Sequence, residues 1–218
     1  MAQSLLDAIR ELEARDTVLA AEIDDLVKLE REIAELRERA ADVQRFLAEM
    51  PERRARVEAE LSDAEAAVAL RLDAVRAAEE EPARAKSDDA RAAAERALAT
   101  ARESLATAEA HVARVREDID GLTRAGDEME AEARELEDRA LAVGARVGEE
   151  PEPGLAGIEP WGAAARAKVF AQRTHAEAER DRGIDEATEL GSVVTGESLA
   201  GAGVGAVRAR VEAALNRG

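Results

Sequence analysis

The chain has 218 residues, sets 49 acidic side chains against 31 basic ones for a formal charge of -18, and contains no cysteine. That charge repels nucleic-acid phosphates and anionic lipid surfaces, which are bound through basic side chains that release counterions, so nucleic acid is excluded as an expected partner and a membrane is disfavoured. The missing thiols exclude disulfides, thiolate metal sites and cysteine nucleophiles. Nor is a thick core expected: 52 residues are alanine and the aromatics amount to two Phe and one Trp, whereas a dense interior needs the area that leucine and aromatic side chains bring.

The opening stretch, MAQSLLDAIRELEARD, has no basic segment leading into an apolar one, and nowhere do 18 apolar residues run uninterrupted. A cytoplasmic location is the expectation. Apolar residues then recur at steps of three and four, the seam of a coiled coil. Leu5, Ile9, Leu12, Leu19, Ile23 and Leu26 share one register, with Asp16 in a seam position. Leu29, Ile33, Leu36, Ala40, Val43, Leu47 and Met50 continue in another after a three-plus-three step. Pro51 predicts a kink or a break, because it lacks a donor and crowds the preceding turn. Beyond it the seam resumes as Val57, Leu61, Ala64, Val68, Leu72 and Val75, with a four-plus-four stutter at Val68.

Residues 79–90, EEEPARAKSDDA, predict the turn between two long helices. Pro82 disfavours helix at Glu81, three glutamates sit badly at a helix C-terminus, and Ser87, Asp88 and Asp89 are good N-caps. Helix one is expected over about 2–80, the turn over about 81–88 and helix two over about 88–147. The second seam runs Leu98, Ala101, Leu105, Ala108, Val112, Val115, Ile119, Leu122, Gly126, Met129, Ala133, Leu136, Ala140, Val143 and Val147 without one departure from the three-four alternation. A turn at residue 84 or 85 puts Val112 near Val57, Leu136 near Ile33 and Val147 near Glu22. The fold class is therefore all-α: a long antiparallel coiled-coil hairpin followed by a small C-terminal helical region packed at its base. Leu5, Ile9, Leu12 and Leu19 are left without cover from helix two, so either the C-terminal region or a second molecule must cover them, and a homodimer is compatible with the pattern.

Of 14 glycines, 11 lie at or beyond Gly148, which marks a break in organisation. Residues 148–160 read as a linker and 161–218 as the small helical region. Within it, Pro160 and Trp161 open a helix ending near Gly183, a short helix covers 185–195, and a last one covers 204–216. Trp161, Val169 and Phe170 are the expected plugs for the N-terminal stripe.

The hairpin resembles the arm of SMC-type ATPases, although their Walker A, ABC-signature and Walker B segments have no counterpart, so ATPase activity is not implied. In length and layout it is also similar to phage-shock-protein A and the ESCRT-III-like remodellers. That resemblance implies a membrane-associated or self-assembling protein.

Sites of chemistry are few. Gly201, Gly203 and Gly205 precede a helix carrying Arg208 and Arg210, which suits an anion at a helix N-terminus but equally a flexible turn, and no strand or Lys-Ser/Thr pair accompanies it. His175 and Glu179 share a helix face, yet metal sites in bundles need several converging ligands, so no metal or cofactor is expected. The acidic pairs read as solvated charge supporting the helices, and no serine has a partner histidine in a catalytic context. The expected function is a non-enzymatic coiled-coil scaffold or adaptor that binds another protein. The alternatives are the remodeller and a phosphate- or nucleotide-binding module at Gly201–Arg210.

Overall fold

A computed structural model describes the backbone of residues 2–217 and the side chains of 3–217. It contains four helices: α1 (Ala2–Arg84), α2 (Asp88–Val147), α3 (Leu155–Thr195) and α4 (Val204–Leu215), with no strand among the described residues. None of them is long and apolar enough to cross a membrane. The chain forms two compact units, Asp42–Arg134 and Met1–Ala41 with Glu135–Gly218.

In the first unit, segments of α1 and α2 run antiparallel around the turn at 85–87. Ser87 starts α2 as expected: its hydroxyl oxygen accepts a hydrogen bond from the Ala90 N–H at 3.2 Å, and Asp88 and Asp89 lie in the first turn, where the helix dipole favours negative charge. Arg102 to Glu79 at 2.9 Å and Arg116 to Glu65 at 2.8 Å tie the helices across. Ala64, Val75, Ala108, Val112 and Val115 are buried between them.

Three expectations change here. Pro82 lies inside α1, which runs on to Arg84 past the expected end near residue 80, and of the two outcomes expected at Pro51 the break is absent, since α1 continues through it; each proline forfeits one hydrogen bond, and the paired seam on either side offsets that loss. The pairing is also shifted by about two helical turns: Val112 shares a cleft with Glu65 and Val68, not with Val57. The shift has two causes. The turn at 85–87 is centred a little later than the expected residue 84 or 85, and side chains lean toward the N-terminus of their own helix, which in an antiparallel pair displaces contacts the same way. Finally, the stutter at Val68 is absent. Arg71 is half-buried and gives its Nε–H to the Ser104 hydroxyl at 3.1 Å, so it takes the seam position, while Leu72 faces outward and is 37% exposed.

The second unit holds the N-terminal part of α1, the end of α2, and α3 and α4. At the C-terminus of α2, Gly148 adopts φ +72° and the Glu149 N–H bonds back to the Gly144 carbonyl at 3.0 Å, a glycine-ended helix cap. α3 begins at Leu155, within the stretch expected to be linker, and runs through Pro160 and Gly183 as one 41-residue helix. A glycine costs only about 1 kcal/mol relative to alanine in a helix, too little to end one whose flanking residues Ala176 and Ala187 are buried. The separate helix expected at 185–195 is thus the last part of α3.

α3 runs antiparallel to α1, pairing Glu159 with Arg37, Arg166 and Arg173 with Glu30, and Arg180 with Asp16. Buried side chains include Leu29, Ile33 and Leu36 of α1, Leu136, Ala140, Val143 and Val147 of α2, and Ile158, Trp161, Ala165 and Val169 of α3. A separate cluster joins Leu6 and Ile9 to Ala187, Leu199, Val204, Val207 and Val211, with Leu12 packed against it. The C-terminal region therefore does cover the start of α1, chiefly through the end of α3 and α4.

Candidate functional site

The residues expected to plug the N-terminal stripe are distributed differently. Trp161 is buried, and its indole N–H donates to the Glu149 carbonyl at 2.6 Å. It sits far along α1 from residues 1–20, because Glu159 and Gly162 meet Arg37. Val169 is fully buried, but Phe170 is 51% exposed with the Arg173 guanidinium 5.0 Å above its ring. Consecutive helical residues point about 100° apart, and here that turn carries Phe170 away from the face that buries Val169. On α1, Ile9 is buried and Leu12 packs on the cluster, whereas Leu5 and Leu19 are half-buried and Leu6 is buried in place of Leu5.

The Gly-rich segment is a packed turn. Gly196 ends α3 with φ +72°, Gly201 has φ +76°, and buried Leu199 anchors the loop while its carbonyl accepts the Ala202 N–H at 3.1 Å. Gly203 is the N-cap of α4. The carboxylate beside this helix start belongs to the chain itself: Glu13 pairs with Arg208 at 2.8 Å, and a methyl group on Gly205 would come within 3.1 Å of Glu13 Oε1. Arg208 is thus already neutralised, and Arg210 is exposed. His175 is exposed, and the Glu179 carboxylate that shares its face pairs with Arg15 and Arg182. No group of three or more metal-ligating side chains comes together among the described residues.

Sequence reasoning did not single out the charged stripe on α1. Asp16, Glu30 and Arg37 stand on one helix face at multiples of seven residues, with Ile23 between Asp16 and Glu30 and Ile9 one heptad before them, and this face meets α3. Asp16 accepts from Arg180 Nε at 2.7 Å, Glu30 takes Arg166 at 3.4 Å and Arg173 at 3.3 Å, and Arg37 Nε donates to Glu159 at 2.9 Å. The hydrogen bond from Arg37 holds the Glu159 carboxyl below its ordinary pKa and raises Arg37's own. The Asp16 hydrogen bond likewise raises Arg180, and hydrogen bonds to Asp24 and Asp25 raise Lys28.

Open clefts lie along the helices. One of about 510 Å³ lies between Leu47, Met50 and Pro51 of α1 and Thr123, Gly126 and Asp127 of α2, where a methyl group on Gly126 would stand 3.3 Å from Met50 Cε. Another of about 440 Å³ lies at Val68 and Val112. In the second unit a shallow hollow borders Phe170, Ala163, Ala167 and Glu30. These are open grooves between helix ridges. Compared with protein families, with characterised proteins and with solved structures, the chain shows no significant match to any.

Proposed function

We propose that the chain is a non-enzymatic scaffold or adaptor that binds another protein through its helix faces. Surface carries this reading. Among the described residues the helices expose Val18, Leu70, Leu141, Phe170 and Val193, on faces decorated with Arg–Glu pairs such as Arg53–Glu49 and Arg54–Glu58. Every buried side chain among the described residues is apolar. The perturbed ionisable groups Lys28, Arg37, Glu159 and Arg180 are members of surface ion pairs, in contrast to the cleft groups whose shifts signal catalysis. The cytoplasm is the proposed location, and self-association is compatible with this use.

Phe170 is the apolar residue best suited to a partner, since aromatic side chains and arginines dominate protein contacts and Arg173 stacks on its ring. The test uses full-length protein, wild type and Phe170→Ser, in cross-linking capture from cell extract. A protein captured by the wild type and lost by a variant of equal melting temperature supports the reading. Equal capture by both, or a catalysed conversion traced to the purified chain, overturns it.

A further inference from the structure

Between Ile9 and Leu29, α1 buries no side chain, and between Val169 and Ala187, α3 buries only Ala176. The two ends differ. Toward one, α2 reaches α1 through Arg146 and Glu32 at 2.7 Å; toward the other, α4 reaches it through Arg208 and Glu13. In the interval from Arg15 to Glu30, the ion pairs that α1 makes to other helices all go to α3 among the described residues: Arg15 to Glu179, Asp16 to Arg180, and Glu30 to Arg166 and Arg173. On the same interval Leu19, Ile23, Leu26 and Val27 are half-buried, and Val18 is 66% exposed.

We propose that residues 170–186 of α3 form an electrostatic strap, fastened to α1 by ion pairs in place of a core, that loosens as ionic strength rises while both ends of α3 stay docked. Partly exposed ion pairs weaken when salt shortens the Debye length, whereas the buried apolar contacts at either end do not. The remainder of the molecule responds the opposite way. A chain of net charge -18 repels itself, so screening stabilises its compact state. A segment that loosens in salt while its surroundings tighten is the signature of the strap. Its release uncovers the Leu19–Val27 stripe, giving the molecule an apolar face that appears under one condition and is covered under another.

Hydrogen exchange on the full-length protein, read by mass spectrometry in low and high sodium chloride, tests this. Once undocked, the segment keeps its own helical hydrogen bonds but loses its tertiary contacts, so it opens locally more often and its amides lose protection. The expected result is an acceleration of about three- to tenfold for residues 170–186 between about 50 mM and about 1 M salt, with residues 29–40, 158–169 and 204–211 unchanged or slower. Amides of 170–186 that stay constant or slow with the rest overturn the proposal, as does a uniform acceleration of the whole unit. Arg180→Gln reproduces the acceleration at low salt, and exchanging the charges with Asp16→Arg and Arg180→Asp restores protection; failure of the exchange to restore it counts against the strap. The wild-type salt series decides even if a variant does not fold.

Discussion

Gly191 of α3 faces Val207 of α4 so closely that a methyl group on the glycine would stand 2.5 Å from the valine Cγ1 and 2.8 Å from Leu199 Cδ1. This contact lets α4 seat on the end of α3 and close the cluster over Leu6 and Ile9. Gly191→Ala gains about 1 kcal/mol of helix propensity but overpacks a full site, which costs typically 1–3 kcal/mol. Net destabilisation is expected, seen as a lower urea midpoint. Gly183→Ala is the control: nothing lies within 4 Å of its added methyl, and it is expected to gain about 0.5–1 kcal/mol.

Trp161 is the single tryptophan and is 6% exposed, so its emission should be blue-shifted and should follow unfolding of the unit that contains it. Trp161→Phe keeps most of the apolar contact and removes the donor to Glu149, leaving a carbonyl without its partner. The expected loss is about 1–2 kcal/mol. Trp161→Ala opens a cavity and should cost about 3–5 kcal/mol. Chemical denaturation followed by circular dichroism compares all three proteins.

Why some of this is legible in sequence, and some is not, can be traced to individual residues. All the seam residues from Leu98 to Val147 are buried or half-buried, because an unbroken three-four alternation leaves one register available, and the start of α2 follows from Ser87 and the two aspartates. Gly183 and Pro160 mislead because packing against α1 outweighs local propensity in a long helix. Phe170 misleads because it adjoins Val169 in sequence while the helix turns it outward. The stripe of Asp16, Glu30 and Arg37 is the hardest to read. In a chain where 37% of residues are charged, charges at heptad spacing do not stand out until α3 is known to lie against them.

Arg71 and Leu72 offer a direct test of the seam through the unit Asp42–Arg134. The arginine is half-buried at the inward position and the leucine is 37% exposed beside it. Exchanging them, with Arg71→Leu and Leu72→Arg, places the leucine against α2 and the charge in solvent. It gives up the hydrogen bond to Ser104, a hydroxyl on an exposed residue that water can satisfy. The double variant is expected to be more stable than wild type by about 0.5–1.5 kcal/mol. If the stutter were real, the same exchange would bury the arginine and destabilise the protein, so the sign of the change in melting temperature separates the two registers.

Acid should weaken the Arg37–Glu159 contact in a predictable window. The Arg37 hydrogen bond lowers the Glu159 carboxyl below its ordinary value of 4.5, while the unfolded chain releases it to that ordinary value. Across the interval between the two values the unfolded state binds more protons, so stability rises with pH there. The contribution is complete above about pH 4.5 and disappears as pH falls through the folded value. Arg37 stays charged throughout, because its hydrogen bond to Glu159 raises a pKa that already lies far above this range, so the pH dependence belongs to the carboxyl alone. Glu159→Gln removes the titrating group and keeps the shape. The stability difference between wild type and Glu159→Gln, measured by urea titration at a series of pH values, should be constant from pH 6 to 8 and shrink below pH 4.5. A difference that stays constant into acid would mean that the two side chains do not pair in solution, and α3 would then lack its charged anchor beside Trp161.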